Sequence, residues 1–366
     1  MAHILEISLI NFRNIETTKL KLAPGVNFIF GENGAGKSSL LEAIYCFGSG
    51  KSFRSSDYVN LIQHNYPAFN LYAQAVRNDC TYALGLSRNQ KGGREARIDA
   101  NAASVANLAT YLPSILLSSF SYQFYTDGPK ARRQFLDWLT FHVKHEFYTA
   151  WRDFQGLLKQ RNKALKQRLP VREVGAWDEE LAIQAEKIHF ARAQALEKLL
   201  PVFAKHVQMA LPSKRIVLEY QRGWLEGRGL GEQLKDHVAR DYQLGYTELG
   251  PQRADLQMKI DSCDAGDVLS QGQQKMAIFA LQLAMGEALF LETNKKAVYL
   301  LDDLASELDA QNRKRIVSEL MAVEAQVIIT GIELSELSDV IQHSRARVFR
   351  VEGGKFEELE SVSLEL

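Results

Sequence analysis

A glycine-rich loop near the start of the chain carries the residue types that hold nucleotide phosphates, and it matches the pattern Gly-x4-Gly-Lys-Ser in full. Glycines let consecutive backbone N–H groups turn inward around phosphates, Lys37 can reach the β- and γ-phosphates, and Ser38 can ligate magnesium. An ordinary glycine-rich turn is the alternative, but an apolar strand precedes this loop and a helical segment follows it. We therefore predict that ATP and Mg²⁺ are bound by Gly31, Glu32, Asn33, Gly34, Ala35, Gly36, Lys37 and Ser38.

Two aspartates supply the carboxylates that such a loop requires. The apolar run Ala297 to Leu301 indicates a buried strand, and Asp302 and Asp303 follow it directly. We predict that Asp302 contacts the magnesium ion and that Asp303 polarises the attacking water. The alternative is that both residues cap the next helix.

A second candidate anion site lies further along the chain, at Leu269-Ser270-Gln271-Gly272-Gln273. Ser270 suits the N-cap of the helix that follows, so simple helix initiation is one interpretation. The other is that Ser270, Gly272 and Gln273 bind an anion with the free N–H groups of the helix start. Because one molecule needs a single cradle for its own ATP, this second cradle would bind the γ-phosphate held by a facing subunit.

The elements that position these residues alternate between strands and helices. The segments Ile4 to Leu9, Thr17 to Leu22 and Val26 to Phe30 read as strands, and strand signals return after Tyr246. From Lys130 to Leu211 helix formers dominate, and Pro170 and Pro201 are expected to divide this region into separate helices. The fold class is therefore α/β, a nucleotide-binding ATPase head interrupted by a helical insertion. The boundaries are 1–125 and 246–366 for the ATPase domain and 126–245 for the insertion.

Cysteine usage and the distribution of apolar residues exclude several classes of protein. Its three cysteines, Cys46, Cys80 and Cys263, are far apart and form no CxxC pair, so neither a zinc site nor a disulfide framework is indicated. A reducing cytoplasm fits this usage. The N-terminus lacks the blocks of a signal peptide, and no run of about 18 apolar residues predicts a membrane span.

Charge is balanced over the whole chain, with 44 basic and 44 acidic residues, but not locally. Between Pro129 and Arg172 eleven basic residues face three acidic ones, a local charge of +8. Such a stretch could track nucleic-acid phosphates, although a charge run in a helical region is usually a solvated face. No zinc, helix-turn-helix or RNA-binding motif is evident, so backbone and shape contacts are expected rather than base reading.

These motifs together resemble the ATPase heads of the ABC class, in particular the chromosome-maintenance branch, and within it the RecF family of bacterial replication and repair proteins. The resemblance covers essentially the whole length. It is carried by Leu9 to Asn14, Gly31 to Ser39, Gly128 to Asp137, Leu158 to Asn162, Gly250 to Leu256, the Ser270 signature and Asp302 to Asp309.

The resemblance implies roles for matching positions. Arg13 and Ser39 would lie near the nucleotide, and Ser270, Gly272 and Gln273 would act in trans across an ATP-dependent homodimer. Three places depart from the family or from related ATPases. Gln252 and Ala254 stand where the family often has a histidine and an aspartate, which weakens any catalytic role there. The position near Ser118, where the family has its magnesium-sensing loop, lacks a carboxylate, and Thr330 stands where transporter ATPases have a histidine. Because a threonine can hydrogen-bond but cannot titrate, slow hydrolysis is expected.

The family resemblance also implies the biological context: DNA as a partner, at junctions of duplex and single-stranded gaps, in repair and replication. It implies recombinase loading with a RecR-type mediator, the SOS response and a cytoplasmic, non-membrane location. Two other classes remain, a transport-type or signalling ATPase and a scaffold with a dead site. The intact Lys37, Ser38, Asp302 and Asp303 argue against the scaffold.

Overall fold

The computed structural model describes residues 3–77, 79–337 and 346–359. The chain divides into two compact units. The first comprises the residues up to Ser121 and those from Leu289 onward, and the second is Tyr122–Ala288. The predicted division at residues 125 and 245 remains a prediction.

Strands are distributed along the whole described chain. In chain order they are β1 (His3–Phe12), β2 (Ile15–Lys21), β3 (Val26–Phe30), β4 (Ala68–Arg77), β5 (Cys80–Asn89), β6 (Arg94–Ile98), β7 (Asn101–Ala103), β8 (Ser114–Leu117), β9 (Val217–Gln221), β10 (Asp255–Ile260), β11 (Cys263–Asp264), β12 (Val298–Leu301), β13 (Val327–Gly331), β14 (Arg347–Glu352) and β15 (Lys355–Glu358).

Helices are concentrated in the middle of the chain. They are α1 (Lys37–Ser49), α2 (Val105–Tyr111), α3 (Gln123–Thr126), α4 (Pro129–Val143), α5 (His145–Lys166), α6 (Val171–Val174), α7 (Asp178–Ala210), α8 (Leu230–Leu244), α9 (Ala265–Val268), α10 (Gln271–Thr293), α11 (Leu304–Glu307) and α12 (Ala310–Ala322).

The first unit contains a mainly parallel sheet with the order β15-β14-β3-β13-β12-β8. Strands β8, β12 and β13 are buried along their whole length, and β3 at all but its last residue. This explains why they read as continuous apolar runs, because parallel strands are usually covered on both faces. The carboxyl ends of β3, β12 and β13 meet at one edge, so the residues that follow these strands lie close together.

A second sheet of the same unit is antiparallel, with the order β2-β1-β4-β5-β6-β7. Phe12 pairs with Ile15, which places Arg13 and Asn14 at the tip of the tight β1–β2 hairpin. Arg13 adopts a φ of +55°, a conformation that such tight turns require. The buried Gln326 amide joins this sheet to the parallel one, accepting from Ile4 N at 2.7 Å and donating to Ile4 O at 2.8 Å.

The second unit contains α4, α5, α7, α8 and a three-stranded sheet with the order β11-β10-β9. Its core includes Phe147, Phe154, Leu181 and Ile188, which recur at helical spacing on α5 and α7. The middle region is therefore helical, as the sequence predicts.

One sequence expectation is wrong. Pro201 does not divide the region, because it lies inside α7, which runs uninterrupted from Asp178 to Ala210. A proline in a helix interior costs about 3 kcal/mol. The adjacent turns bury Leu199, Val202 and Phe203, and burial of such side chains is worth about 1.5–3 kcal/mol each, which offsets that cost. Pro170, in contrast, does mark a boundary, since it precedes α6.

Helix α10 is long and apolar enough to cross a membrane, and the described residues contain no other helix with these properties. However, 72% of its most apolar window is buried inside the protein, as in the core helix of a globular fold. Helices and sheets occur together in both units, so the predicted α/β fold class is confirmed.

Candidate functional site

The glycine loop joins β3 to α1, as the sequence predicts. Gly31 has a φ of +155°, and a Cβ there would lie 2.3 Å from Val351 O, so only glycine fits this close approach. Gly36 is the N-cap of α1 with a φ of +120°, and no side chain caps the helix. The α1 N-terminus, with its positive end of the helix dipole, therefore carries N–H groups suited to an anion.

Lys37 lies over this loop and is nearly buried, with 7% of its surface exposed. Its ammonium group donates hydrogen bonds to Gly31 O at 2.6 Å and Glu32 O at 2.9 Å. The loop is held from the other side by Asn14, whose amide donates to Gly34 O at 2.9 Å and accepts from Ser39 Oγ at 2.8 Å. The cation is therefore positioned along the loop where phosphate oxygens would contact it.

Ser38 and Asp302 lie in contact although they are 264 positions apart in sequence. The Ser38 hydroxyl donates to Asp302 Oδ1 at 2.8 Å, and Thr330 Oγ1 lies 2.9 Å from the same oxygen. Burial raises the pKa of Asp302 above its ordinary value, although the hydrogen bonds from Ser38 and Thr330 act in the opposite direction. A hydroxyl and a carboxylate side by side at the loop are the oxygen ligands that Mg²⁺ prefers.

Asp303 differs from its neighbour in conformation and contacts. Its φ is +50° and its ψ is 54°, the left-handed region that is uncommon for aspartate. Although it is the N-cap residue of α11, its side chain makes no capping hydrogen bond, and its Oδ1 is buried with no hydrogen-bond partner among the described residues. The capping alternative thus does not account for this side chain. A buried acceptor without a partner is suited to a bound water or cation.

Arg13 reaches the same region from the β1–β2 hairpin. Its guanidinium forms two parallel hydrogen bonds to the buried Glu42 of α1, Nε to Oε2 at 2.8 Å and Nη2 to Oε1 at 2.7 Å. Its Nη1 donates to Asn60 O at 2.8 Å. This bidentate pairing fixes the arginine rigidly beside the loop.

These residues surround an open cavity of about 760 Å³, a volume within the range of small-ligand sites. Its lining consists of Arg13, Asn14, Asn33, Gly34, Gly36, Lys37, Ser38, Ser39, Arg54, Ser55, Asn60, Ile62, Asp302 and Asp303.

The cavity contains residues that sequence reasoning did not assign to the site, namely Asn14, Arg54, Ser55, Asn60 and Ile62. Asn14 belongs to the motif Leu9 to Asn14, which overlaps the end of β1, and that motif was a usable signal. No pattern distinguishes the other four, because they come from an irregular segment between α1 and β4.

Ser270, Gly272 and Gln273 lie in the second unit, at the N-terminus of α10. Gln273 Oε1 accepts from Ser270 N at 3.0 Å, and Gln273 N approaches Ser270 Oγ at 3.4 Å, as in a capping box. These contacts are the geometry that the helix-initiation interpretation requires. Ser270 and Gly272 are nevertheless exposed, and a Cβ at Gly272 would meet nothing within 4 Å, so this helix start has room for an external group.

The position where the resemblance predicts a magnesium-sensing loop follows β8. Leu117 O accepts from Asp302 N at 3.0 Å, and the buried Ser118 hydroxyl has no hydrogen-bond partner within the described chain. Across residues 3–77, 79–337 and 346–359, no cluster of three or more His, Cys, Asp or Glu side chains could hold a metal ion. A magnesium ion here would therefore depend on Ser38, Asp302 and phosphate oxygens together.

Comparison with known proteins adds independent information. The family described as "RecF/RecN/SMC N terminal domain" matches residues 3–356. A DNA replication and repair protein RecF from Coxiella burnetii (strain RSA 493 / Nine Mile phase I) is 40% identical, covering 97% of this chain and 99% of that protein. One from Cellvibrio japonicus (strain Ueda107) is also 40% identical, covering 89% of this chain and 90% of its own length.

Solved structures give the same picture. The recombination mediator protein RecF in the RecFOR pathway has been solved as RecF-ATP, with a TM-score of 0.88, 27% identity and coverage of 98% of both chains. A structure of RecF-ATPrS gives a TM-score of 0.87 at the same identity and coverage. An Smc head bound to the C-winged helix domain of ScpA shares the fold at a TM-score of 0.58 and 16% identity, covering 99% of this chain and 98% of that one. The chain therefore belongs to the RecF family of DNA replication and repair proteins.

Proposed function

We propose that this protein binds ATP with magnesium, forms an ATP-gated homodimer on DNA near single-strand gaps, and assists recombinase loading and the SOS response. The observation that carries the proposal is the contact between Ser38 and Asp302 at 2.8 Å beside Lys37. It brings the hydroxyl, the carboxylate and the cation required for a magnesium-bound triphosphate to one loop. RecF-ATP, a homologous structure, supports ATP as the nucleotide.

Within this site each residue has one task. The N–H groups of Gly31 to Ser38 and the Lys37 ammonium bind phosphate oxygens, and Ser39 and Arg13 hold the surrounding segments. Ser38 and Asp302 would hold Mg²⁺, which would neutralise charge on the phosphates. Asp303 accepts a hydrogen bond from the attacking water, because its buried Oδ1 is without a partner in the described chain.

Dimerisation follows from the second anion site. Ser270, Gly272 and Gln273 present an exposed helix start at the head of α10. A cradle of this kind binds a phosphate, and the loop at Gly31 to Ser38 already supplies one cradle per chain. Two copies related by a two-fold axis would each complete the site of the other, which is the isologous arrangement most homodimers adopt.

DNA binding is supported by charge that remains available after folding. Three of the eleven basic residues between Pro129 and Arg172 are engaged by groups outside that stretch of sequence: Arg132 by Asp255, Arg133 by Ala254 O, and Arg161 by Asp178 and Asp241. A fourth, the exposed Arg152, pairs with Asp153 inside the stretch. The +8 count therefore overstates what a partner would meet, because Asp178, Asp241 and Asp255 lie outside that stretch of sequence.

A smaller set of cations remains on α5. Lys159, Lys163 and Lys166 are exposed, and none forms an ion pair with a residue that the structure describes. They recur at four- and three-residue intervals and so lie on one helix face, which we call the α5 lysine stripe. With a rise of 1.5 Å per residue the stripe is about 10 Å long, a length over which each DNA strand presents about three phosphates.

The remaining partners follow from family membership. The RecF structures are described within the RecFOR pathway, which supports a RecR-type recombination mediator as the protein partner. We place the protein in the cytoplasm, where free thiols such as the exposed Cys80 and Cys263 stay reduced. Hydrolysis is slow and acts as a switch, because Thr330 stands where transporter ATPases have a titratable histidine.

Mass measurement by light scattering, with ATP, Mg²⁺ and gapped DNA, tests the proposal. We expect the wild type to become a dimer with ATP, Lys37→Ala to lose ATP binding, and Ser270→Arg to bind ATP but stay monomeric. The reason is that an arginine would fill the phosphate cradle of Ser270. Ser213→Arg is the matched control, because it places an arginine at another exposed serine of the same unit.

Two outcomes would contradict the proposal. A Ser270→Arg protein that dimerises with ATP as the wild type does would remove the role in trans. Full ATP affinity in Lys37→Ala would remove the phosphate loop as the nucleotide site. If the affinity for DNA is the same with and without ATP, the signalling class of ATPase would be favoured instead.

A further inference from the structure

We infer that Thr330 is a positioning residue for hydrolysis: its hydroxyl holds the Asp302-Asp303 pair in the arrangement that leaves the Asp303 carboxylate free to act. The inference rests on the proposed ATPase function. It assigns to this threonine a task different from contact with the γ-phosphate, which is the role suggested by its place near the carboxyl end of β13.

Thr330 lies opposite the aspartates because of the sheet register. Strands β12 and β13 are parallel, and Leu301 pairs with Ile329. Asp302 follows Leu301 and Thr330 follows Ile329, so these two residues lie side by side. Thr330 is 1% exposed. Its side chain is therefore enclosed at the strand end, where its hydroxyl can serve neighbouring groups of the same unit.

The hydroxyl has three neighbours and one proton. It accepts a hydrogen bond from the backbone N–H of Asp303 at 2.9 Å. Its own proton goes to Asp302 Oδ1 at 2.9 Å in preference to Leu301 O at 3.3 Å, because the carboxylate is both closer and charged. With its proton given to Asp302 and a lone pair used by Asp303, the group has no donor left for a γ-phosphate oxygen.

The bond to Asp303 N–H selects the unusual backbone conformation of that residue. Asp303 is the N-cap of α11, and an aspartate there normally turns its carboxylate back to cap the helix. Here the left-handed backbone (φ +50°) carries the N–H toward Thr330, and the side chain makes no capping bond. Its Oδ1 stays buried and without a partner in the described residues, as an acceptor for the attacking water must be.

Removal of the hydroxyl should therefore change the rate of hydrolysis and not the affinity for ATP. In Thr330→Val, which keeps the shape, we expect single-turnover hydrolysis of radiolabelled ATP to slow about tenfold or more, the effect of a lost buried hydrogen bond. The Kd for ATP with Mg²⁺, measured by equilibrium dialysis, should change less than about threefold. Thr330→Ser restores a hydroxyl and should return the rate to within about threefold of the wild type.

Controls separate this role from general destabilisation. Thr293→Val removes a hydroxyl that donates to Leu289 O in the same unit, and its hydrolysis rate should equal that of the wild type. Thr330→Ala is a second variant in case valine perturbs folding, and the same slow hydrolysis with preserved ATP affinity is expected. Thermal unfolding of each variant records whether it is folded.

Three results would overturn the inference. Thr330→Val could hydrolyse ATP as the wild type does, or it could lose ATP affinity in parallel with rate, which would mean that the hydroxyl contacts the nucleotide. Alternatively, Thr330→Ser could remain as slow as Thr330→Val. Failure of the wild type itself to bind ATP is a different outcome, and it would refute the proposed function.

Discussion

Cys46 lies on α1, the helix that begins at Lys37, and its thiol is buried. Burial raises its pKa to about 12, and the nearby Glu42 carboxylate adds to this effect. Since the thiolate is the reactive form, Cys46 is protected both by low access and by a low ionised fraction. Cys80 and Cys263 are exposed, so access does not limit their reaction.

We expect a thiol reagent at pH 8 to modify Cys80 and Cys263 readily in the native protein, and to modify Cys46 about a hundredfold more slowly. ATP with Mg²⁺ should slow Cys46 further, because a ligand on the α1 N-terminus opposes local opening of that helix. Mass spectrometry of peptides over time measures each site. Equal rates of modification at all three cysteines in the native protein would refute the protected environment of Cys46. As a control, all three cysteines should react at equal rates in urea, where the protein is unfolded.

The site residues divide by how far apart their partners are in sequence. The loop Gly31 to Ser38 and the pair Asp302-Asp303 were predictable, because their spacing and preceding apolar strands are local signals. Ser38 and Asp302 were each assigned to the magnesium ion from chemistry alone, and the structure shows that the two side chains lie 2.8 Å apart. Glu42 as the partner of Arg13 was not predictable, since nothing local links a hairpin tip to a helix position 29 residues away.

At the scale of elements, α4 and β10 are joined by a charged pair. Arg132 donates to both carboxylate oxygens of Asp255, at 2.7 Å and 2.9 Å, and both side chains are largely buried. Burial alone would raise the pKa of Asp255, but the hydrogen bonds and charge of Arg132 outweigh it and lower the pKa below 3.8. The pair lies within the two sequence motifs that begin at Gly128 and Gly250, which therefore have a structural role.

Asp255→Asn should lower the free energy of unfolding by about 2–4 kcal/mol at pH 7, because it leaves Arg132 without its counter-charge. The folded pKa of Asp255 is depressed, so its stabilisation is present above its unfolded pKa and is lost as pH falls through the folded value. The gap between wild type and variant should thus persist at pH 5 and shrink below pH 4. Urea unfolding at pH 7, 5 and 3 measures it.

The exposed pair between Asp236 and Arg228 is the matched control for this prediction. Asp236→Asn should cost less than about 1 kcal/mol, since solvent screens exposed pairs. A loss at Asp255 that is equally small, or a gap that widens as pH falls to 3, would contradict the assignment.

Helices and strands were largely predictable where the spacing of apolar residues is regular. The strand predicted over Val26 to Phe30 matches the structure to the residue. Sheet order was not predictable, because β3 pairs with β13 and β14, and no local pattern encodes which distant strand is adjacent. Pro201 shows the opposite failure, in which a reliable local rule is overridden by burial of the surrounding turns.

At the scale of the whole molecule, net charge is a poor guide to DNA binding. The chain is neutral overall, and folding neutralises part of its most basic segment. What is left exposed includes the α5 lysine stripe, so the proposed DNA surface is narrower than the sequence count indicates.

Replacing the stripe, as Lys159→Gln with Lys163→Gln and Lys166→Gln, should weaken binding to duplex DNA about tenfold or more near physiological salt. It should also reduce the slope of log affinity against log salt by about 2 to 3, since up to three phosphate contacts are lost. Fluorescence anisotropy over a range of salt concentrations, with ATP present, measures both quantities.

A control with the same loss of charge is available in the same unit, at the exposed Lys187, Arg215 and Lys235. Replacing these three with glutamine should change the salt slope by less than about 1. If both triple variants lose affinity equally, the stripe has no special role. A wild type whose affinity is flat with salt would exclude phosphate contacts altogether.

The position of β3 in the parallel sheet has a consequence for how the protein is made. β3 lies between β13 and β14, and Val26 pairs with Val327, so its neighbours on both sides are synthesised about 300 residues after it. At 5–20 residues per second a ribosome needs roughly 15–60 s to reach them. During that interval an apolar strand next to the phosphate loop has two open edges, which is a hazard for aggregation. The nucleotide site therefore cannot form until β13 and β14 have been synthesised, and a nascent or truncated chain that lacks these two strands would depend on chaperones to stay soluble.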